Sequence, residues 1–178
     1  MNQDTQFYAG IGSRKTPPEV LGLMTALAYK LAKGGHVLRS GGAQGADQAF
    51  ENGCDQAEGG KQIYIPWTGF QNRYVSMDPY VIVGGNCPRA LELAAEIHPN
   101  WGACSSTARA LHARNCFQIL GPNLDDPVSD VLCWTPEGHG GGGTGQAIRL
   151  ANKMLIPVWD LGKPVVRKHF ERMLDRPD

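Results

Sequence analysis

The sequence lacks an excess of either charge: Lys plus Arg and Asp plus Glu number 17 each in 178 residues. A neutral chain has neither a global polycation for wrapping nucleic acid nor an acidic tail, so nucleic-acid binding would have to rest on a local patch. It also lacks any apolar run near the roughly 20 residues that span a bilayer, which excludes a membrane-spanning helix as partner of lipid. The opening Met1-Asn2-Gln3-Asp4-Thr5 has no charged-then-apolar signal pattern, so secretion is not expected. Cysteine is sparse and odd in number, with five scattered residues and no C-x-x-C. That argues against a disulfide scaffold and for reduced thiols in a cytoplasmic protein. His112 and Cys116 stand four apart on a helical stretch, which is metal-ligand spacing, but no second pair is evident. Cys87, His98 and Cys104 are loosely spaced. Neither a metal nor another cofactor is expected.

What the sequence has in excess is glycine. There are 23, against about 12 at ordinary usage. The length fits one domain with a core that needs no staples.

Short apolar runs alternate with helical periods. Strands are expected over 6–11, 36–39, 62–67, 129–134 and 156–159. Between them, Val20, Leu23, Met24, Leu27 and Leu31 recur at helical spacing. Thr16-Pro17-Pro18-Glu19 reads as a capping-box start to that helix, and Gly34-Gly35 as its stop. Further helices are expected over 45–52, ending at Gly53, over 88–97, from Ser105 or Ser106 to about Leu120, over 144–154 with Thr144 as cap, and from Pro164 to about Leu174. Residues 68–87 read as an irregular excursion. Strands separated by helices predict an α/β fold: a Rossmann-like, doubly wound parallel sheet of about five strands, order 3-2-1-4-5, with helices on both faces.

The surplus glycines have an address. Gly10 and Gly12 follow the first strand. Gly41, Gly42 and Gly45 follow the second. Gly138, Gly140, Gly141, Gly142, Gly143 and Gly145 follow the fourth. All lie at the carboxyl edge of the expected sheet, where ligands of open α/β folds bind beside the topological switch point. Glycine lets a backbone approach a ligand closely, and helix N-termini present unpaired N–H groups, so such loops suit phosphate. The first loop, Gly10-Ile11-Gly12-Ser13-Arg14, adds a hydroxyl and a guanidinium. It is neither G-x-G-x-x-G nor a Walker A loop. His139, beside the glycine run, is a candidate ligand or acid–base contact. Asp47 and Glu137 are candidate acids. Trp67, Trp101, Trp134 and Tyr8 are candidate base stackers, though lone aromatics are more often core.

Gly12-Ser13-Arg14, together with Ser40-Gly41-Gly42-Ala43-Gln44-Gly45-Ala46-Asp47, resembles the Rossmann-like core of DprA/Smf proteins, whose second motif reads S-G-x-A-x-G-x-D. The third loop, with its G-G-x-G-T pattern, is similar to the Lonely Guy (LOG) and lysine-decarboxylase-like families of the wider SLOG grouping. Over nearly the full length the chain resembles short phage and prophage DprA-like proteins. The LOG resemblance implies N-glycosidic hydrolysis of a nucleoside 5′-monophosphate. Leu111-His112-Ala113-Arg114-Asn115 matches that family's helix motif and places Arg114 at its catalytic arginine. The family's catalytic glutamate falls on Ala147.

Three functions therefore stand open at the level of sequence. The first is binding of a nucleotide or nucleotide-derived phosphate ligand, as a sensor or sequestering protein. Its contacts would be Gly10, Gly12, Ser13, Arg14, Ser40, Gly41, Gly42, Gly45, His139, Gly140, Gly141, Gly142, Gly143 and Thr144. The second is a hydrolase or transferase at the N-glycosidic bond of a nucleotide, with Arg114, Glu137 and Asp47 as catalytic candidates. The third, implied by the DprA resemblance, is single-stranded DNA binding in recombination. Ala147 favours the first over the second, and the zero net charge disfavours the third. The resemblance also implies a homo-oligomer and a cytoplasmic location, the host cytoplasm if the protein is phage-encoded.

Overall fold

The computed structural model describes residues 5–76, 78 and 80–175. Six parallel strands, β1 (Phe7–Gly10), β2 (Val37–Ser40), β3 (Lys61–Ile65), β4 (Val81–Val83), β5 (Asp130–Cys133) and β6 (Val158–Asp160), form one sheet in the order β4-β3-β2-β1-β5-β6. Six helices cover it: α1 (Pro18–Lys33), α2 (Ala46–Gln56), α3 (Pro88–Ile97), α4 (Ser106–Leu120), α5 (Gly142–Lys153) and α6 (Pro164–Leu174). The fold is the expected single-domain Rossmann-like α/β, with one more strand than expected.

Strand side chains alternate between two cores, as a sheet buried on both faces requires. Tyr8, Leu38 and Leu132 point to the core shared with Val20, Met24, Leu27, Phe50 and Phe170 of α1, α2 and α6. Ala9, Tyr64 and Val131 point to the core built with Ala94, Ala113, Phe117, Ile119 and Leu150 of α3, α4 and α5. The register sets Tyr8 opposite Leu38 and Asp130, so the alternation is in phase across neighbouring strands. Burying such a leucine stabilises by about 1.5–3 kcal/mol, and truncating Leu38, fully buried, to alanine costs about 2–5 kcal/mol.

Four local expectations are corrected. Part of the excursion at 68–87 is ordered: β4 pairs with β3, Ile63 opposite Val81, and a short 3-10 turn at Phe70–Asn72 lies between them. Buried Phe70 anchors that turn against Ala43, Ile63, Ile65 and Val81. Thr16 does not cap α1. Pro17 takes that position, and the Thr16 hydroxyl donates to Ser13 O at 2.7 Å, closing the β1–α1 loop instead. Gly53 does not end α2, which continues to Gln56; a Cβ at Gly53 would lie 2.0 Å from Thr25 O, so the glycine permits close packing on α1. Thr144 does not cap α5, whose N-cap is Gly141. Ser105 does cap α4, accepting from Ala108 N at 3.2 Å.

The chain builds β1 to β4 outward in one direction and returns through α4 to β5 on the other side of β1. The switch point therefore lies between β1 and β5, and the loops leaving their carboxyl ends diverge there. Among the described residues no helix is long and apolar enough to cross a membrane.

Candidate functional site

Over that switch point opens a cleft of about 740 Å³, within the usual range for small-molecule sites. One wall is the loop after β1, with Gly12, Ser13, Arg14 and Lys15. The opposite wall is the loop after β5, with Pro136, His139, Gly141, Gly142, Gly143 and Thr144. Ala43 and Asp47 from the loop after β2, and Leu111, His112, Arg114, Asn115 and Gln118 from α4, complete it.

Its floor is a buried polar network. Arg114 and Asp47 are 6% and 4% exposed, and Arg114 Nη1 stands 3.5 Å from Asp47 Oδ2. Burial pushes the Asp47 carboxyl upward; the Arg114 charge and the Ala43 N–H, which donates to Asp47 Oδ2 at 3.3 Å, pull it down. With the Gln118 amide oriented by its hydrogen bonds, its nitrogen donates to Asn115 Oδ1 at 3.0 Å. Its oxygen accepts from Arg114 Nη1 at 3.1 Å and Gly41 N at 2.8 Å. Asn115 Nδ2 in turn donates to Gly143 O at 3.1 Å. Floor and third loop are thus tied together.

The walls are open. Arg14 is exposed and makes no hydrogen bond or ion pair among the described residues. Cβ atoms built at Gly141, Gly142 or Gly143 would meet nothing within 4 Å. The N–H groups of Gly142, Gly143 and Thr144 belong to the first turn of α5 and have no intrahelical acceptor. Among the described residues Arg14, Lys15 and Arg114 face a single lining carboxylate, Asp47, so a chain of zero net charge concentrates positive charge here.

The remaining candidates lie elsewhere. Gly10 is a packing position, where a Cβ would come 2.6 Å from the Phe50 ring. Ser40 is buried and its hydroxyl donates to Gly10 O at 2.6 Å. Gly41 abuts Arg114, Gly42 abuts Arg73, and Gly45 abuts the Ser13–Arg14 backbone. These residues shape the cleft from behind. Gly140 lines an adjoining depression with Gly138 and Lys163, and its N–H donates to Thr135 Oγ1 at 2.9 Å. Glu137 does not line the cleft: its side chain is 83% exposed and pairs with His139 Nε2 at 3.1 Å. Ala147 does line it, so the position at which the LOG pattern has an acid faces the cleft without one.

None of Tyr8, Trp67, Trp101 and Trp134 lines the cleft. Nor do Lys15, Arg39, Arg73 and Arg109 form a shared basic patch. Arg39 is fully buried, donating to Gln62 Oε1 and to the Asp126 backbone and carboxylate. Arg73 pairs with Glu51 at 2.7 Å. Arg109 lies over the Trp101 ring. Gln118 was not singled out by sequence; the signal was there as polar residues at 114, 115 and 118 in a helical stretch otherwise rich in apolar ones.

No protein-family model matches the chain, and no curated protein matches it in sequence. Its structure is similar to that of the molybdenum cofactor carrier protein of Chlamydomonas reinhardtii, with 17% identity, TM-score 0.54, and coverage of 96% of this chain and 84% of that one. A second structure of that carrier gives 20% identity and TM-score 0.53, covering 95% and 84%. It is also similar to DNA processing protein A (DprA) of Streptococcus pneumoniae, with 16% identity and TM-score 0.55, covering 95% of this chain and 56% of that one. At these identities the likeness is one of fold, and the fold is that of a Rossmann-like α/β sheet.

Proposed function

We propose that the chain binds a nucleotide or nucleotide-derived phosphate ligand in the cleft over the β1–β5 switch point, as a sensor or sequestering protein. The observation that carries this reading is the unpaired Arg14 guanidinium across from the open Gly141–Thr144 turn. A phosphate between them accepts two parallel bonds from the guanidinium and further bonds from first-turn amides. Arg114, fixed by Asp47 and Gln118, adds positive charge from below.

Binding without turnover is supported by the acids. Asp47, the lining carboxylate, is buried and committed to Arg114 and Ala43 N–H, while Glu137 faces solvent. Glycosidic hydrolysis needs a carboxylate at the anomeric carbon to activate water or stabilise charge. That a cofactor carrier has this fold supports the same reading. Because no Trp, Tyr or Phe lines the cleft, discrimination between bases is expected to be weaker than the contribution of the phosphate.

Titration calorimetry against AMP, ADP, ATP and cyclic mononucleotides tests this. Heat is expected with at least one ligand, reduced in Arg14→Ala, with no free base on chromatography. Silence across the whole panel overturns binding, and released base replaces it with hydrolysis. A salt-sensitive shift of a single-stranded oligonucleotide would instead favour the DNA-binding alternative.

A further inference from the structure

Outside the phosphate-facing walls, the structure assembles three side chains that the sequence separates. His98 ends α3, Cys104 follows the short 3-10 turn Trp101–Ala103, and His112 lies on the second turn of α4. The α3–α4 connection folds back so that one ligand-capable atom from each lies within 4.8 Å of the others. Cys104 Sγ is 3.7 Å from both ring nitrogens of His98, and the two imidazole centroids are 4.6 Å apart. Trp101 flanks both rings at 6.1 and 6.3 Å.

We propose that His98, Cys104 and His112 form a binding site for a divalent transition-metal ion, best suited to zinc. Two imidazoles and a thiolate are the donor set zinc prefers, and three protein ligands leave one position of a tetrahedron for water or a ligand group. At zinc–nitrogen and zinc–sulfur distances of about 2.0–2.3 Å, ligand atoms sit about 3.3–3.8 Å apart. The cluster must therefore contract by about 1 Å, through side chains on a loop and two helix ends.

The individual groups are prepared for this. His98 Nδ1 accepts from Asn100 N–H at 3.2 Å, so that nitrogen carries a lone pair rather than a proton; the ion takes over the lone pair and the exposed backbone bond is released. The Cys104 thiol donates to Asn100 O at 3.6 Å and gives up that proton to solvent on binding. Nδ1 of His112 is buried with no hydrogen-bond partner among the described residues. Arg149 and Arg114 stand close enough to act on that ring. The same arginines oppose added positive charge, and the thiolate offsets part of the ion's.

The spacing H-x5-C-x7-H conceals this site in the sequence, where His112 and Cys116 look like the better pair. In the structure Cys116 Sγ donates to Ala90 O and His112 O and is not in the cluster. The inference stands independently of the phosphate reading, although His112 also lines the cleft.

Chelator-treated full-length protein, kept reduced, is titrated with Co²⁺ and then Zn²⁺. The expected result is one Co²⁺ per chain with a thiolate-to-cobalt charge-transfer absorption, displaced by Zn²⁺. Cys104→Ser abolishes the absorption, His98→Ala weakens zinc binding at least tenfold, and Cys87→Ser leaves both unchanged, each variant checked for folding by circular dichroism. Zinc also protects Cys104 of the unsubstituted protein from alkylation, read by peptide mass spectrometry. An absorption that survives Cys104→Ser, or the absence of both absorption and protection in the folded unsubstituted protein, overturns the proposal.

Discussion

The glycines of the second loop and those of the third look alike in sequence and differ in what surrounds them. Around Gly41, Gly42 and Gly45 the space is filled by the protein: a Cβ at Gly41 would lie 1.2 Å from Arg114 Nη1, and one at Gly45 would lie 2.8 Å from Ser13 O at a φ of +84°. Around Gly141, Gly142 and Gly143 it is empty. The first set lets the chain pack on itself and fixes Arg114. The second leaves helix amides uncovered beside a cationic cleft. Glycine serves folding in one loop and access in the other.

The largest effect that would sharpen this contrast is on stability. Gly41→Ala drives a methyl into the Arg114–Asp47–Gln118 network. Overpacking and disruption of a buried ion pair together are expected to cost about 3 kcal/mol or more, visible as a lower urea midpoint. A cost below about 0.5 kcal/mol would show that the second loop is as accommodating as the third.

Arg14→Ala acts on the open wall. Arg14 is exposed and makes no hydrogen bond or ion pair among the described residues, so the urea midpoint should stay within about 0.5 kcal/mol, while affinity for a phosphate ligand falls by about 1.5–3 kcal/mol, roughly 10- to 150-fold. Loss of stability without loss of affinity would reverse the assignment.

α4 joins the two walls, and pH probes it. His112, with its pKa lowered to about 4, remains neutral in the folded protein well below the ordinary histidine value near 6.5. Above about pH 6.5 neither state is protonated and the contribution is complete; as pH falls toward 4 only the unfolded chain takes up the proton, and stability is lost. For a half-exposed ring the expected loss, after discounting for solvent screening, is about 1–2 kcal/mol. Urea unfolding at pH 7 and pH 4.5 in the presence of chelator should show His112→Gln losing less than the unsubstituted protein; equal losses would remove the ring from the account.

The smallest stability effect is expected at Gly143. Alanine there has free space and reduces the entropy of the unfolded chain, so stability should be unchanged or rise by up to about 0.5 kcal/mol. Its methyl partly covers the α5 amides, and calorimetry should show phosphate affinity falling several-fold. If Gly143→Ala destabilised the fold as Gly41→Ala does, the contrast would collapse.

The strand and helix order was legible because each buried face carries its period: Tyr8 and Ala9 alternate between two cores, and Val20, Met24 and Leu27 follow one helix face. β4 was not, because three residues, Val81 to Val83, give no period to read inside a stretch of Gly, Asn and Pro. Thr16 and Thr144 misled because a hydroxyl before or within a first turn has several local acceptors and donors, and Thr16 found Ser13 O. The cleft's location followed from glycine density at strand ends. Composition could not separate Gly41, pressed against Arg114, from Gly143, facing empty space. Nor could spacing foretell that a returning loop sets Cys104 beside His98.

The uncovered turn at Gly141–Thr144 has a chemical consequence. Its electropositive character resides in peptide units, which neither titrate nor undergo acylation or methylation, and no side-chain exchange deletes them. Their contribution to the field over the cleft is constant across the whole range in which the fold survives. On the proposed reading, the share of phosphate binding that these amides supply follows the ionisation of the phosphate alone.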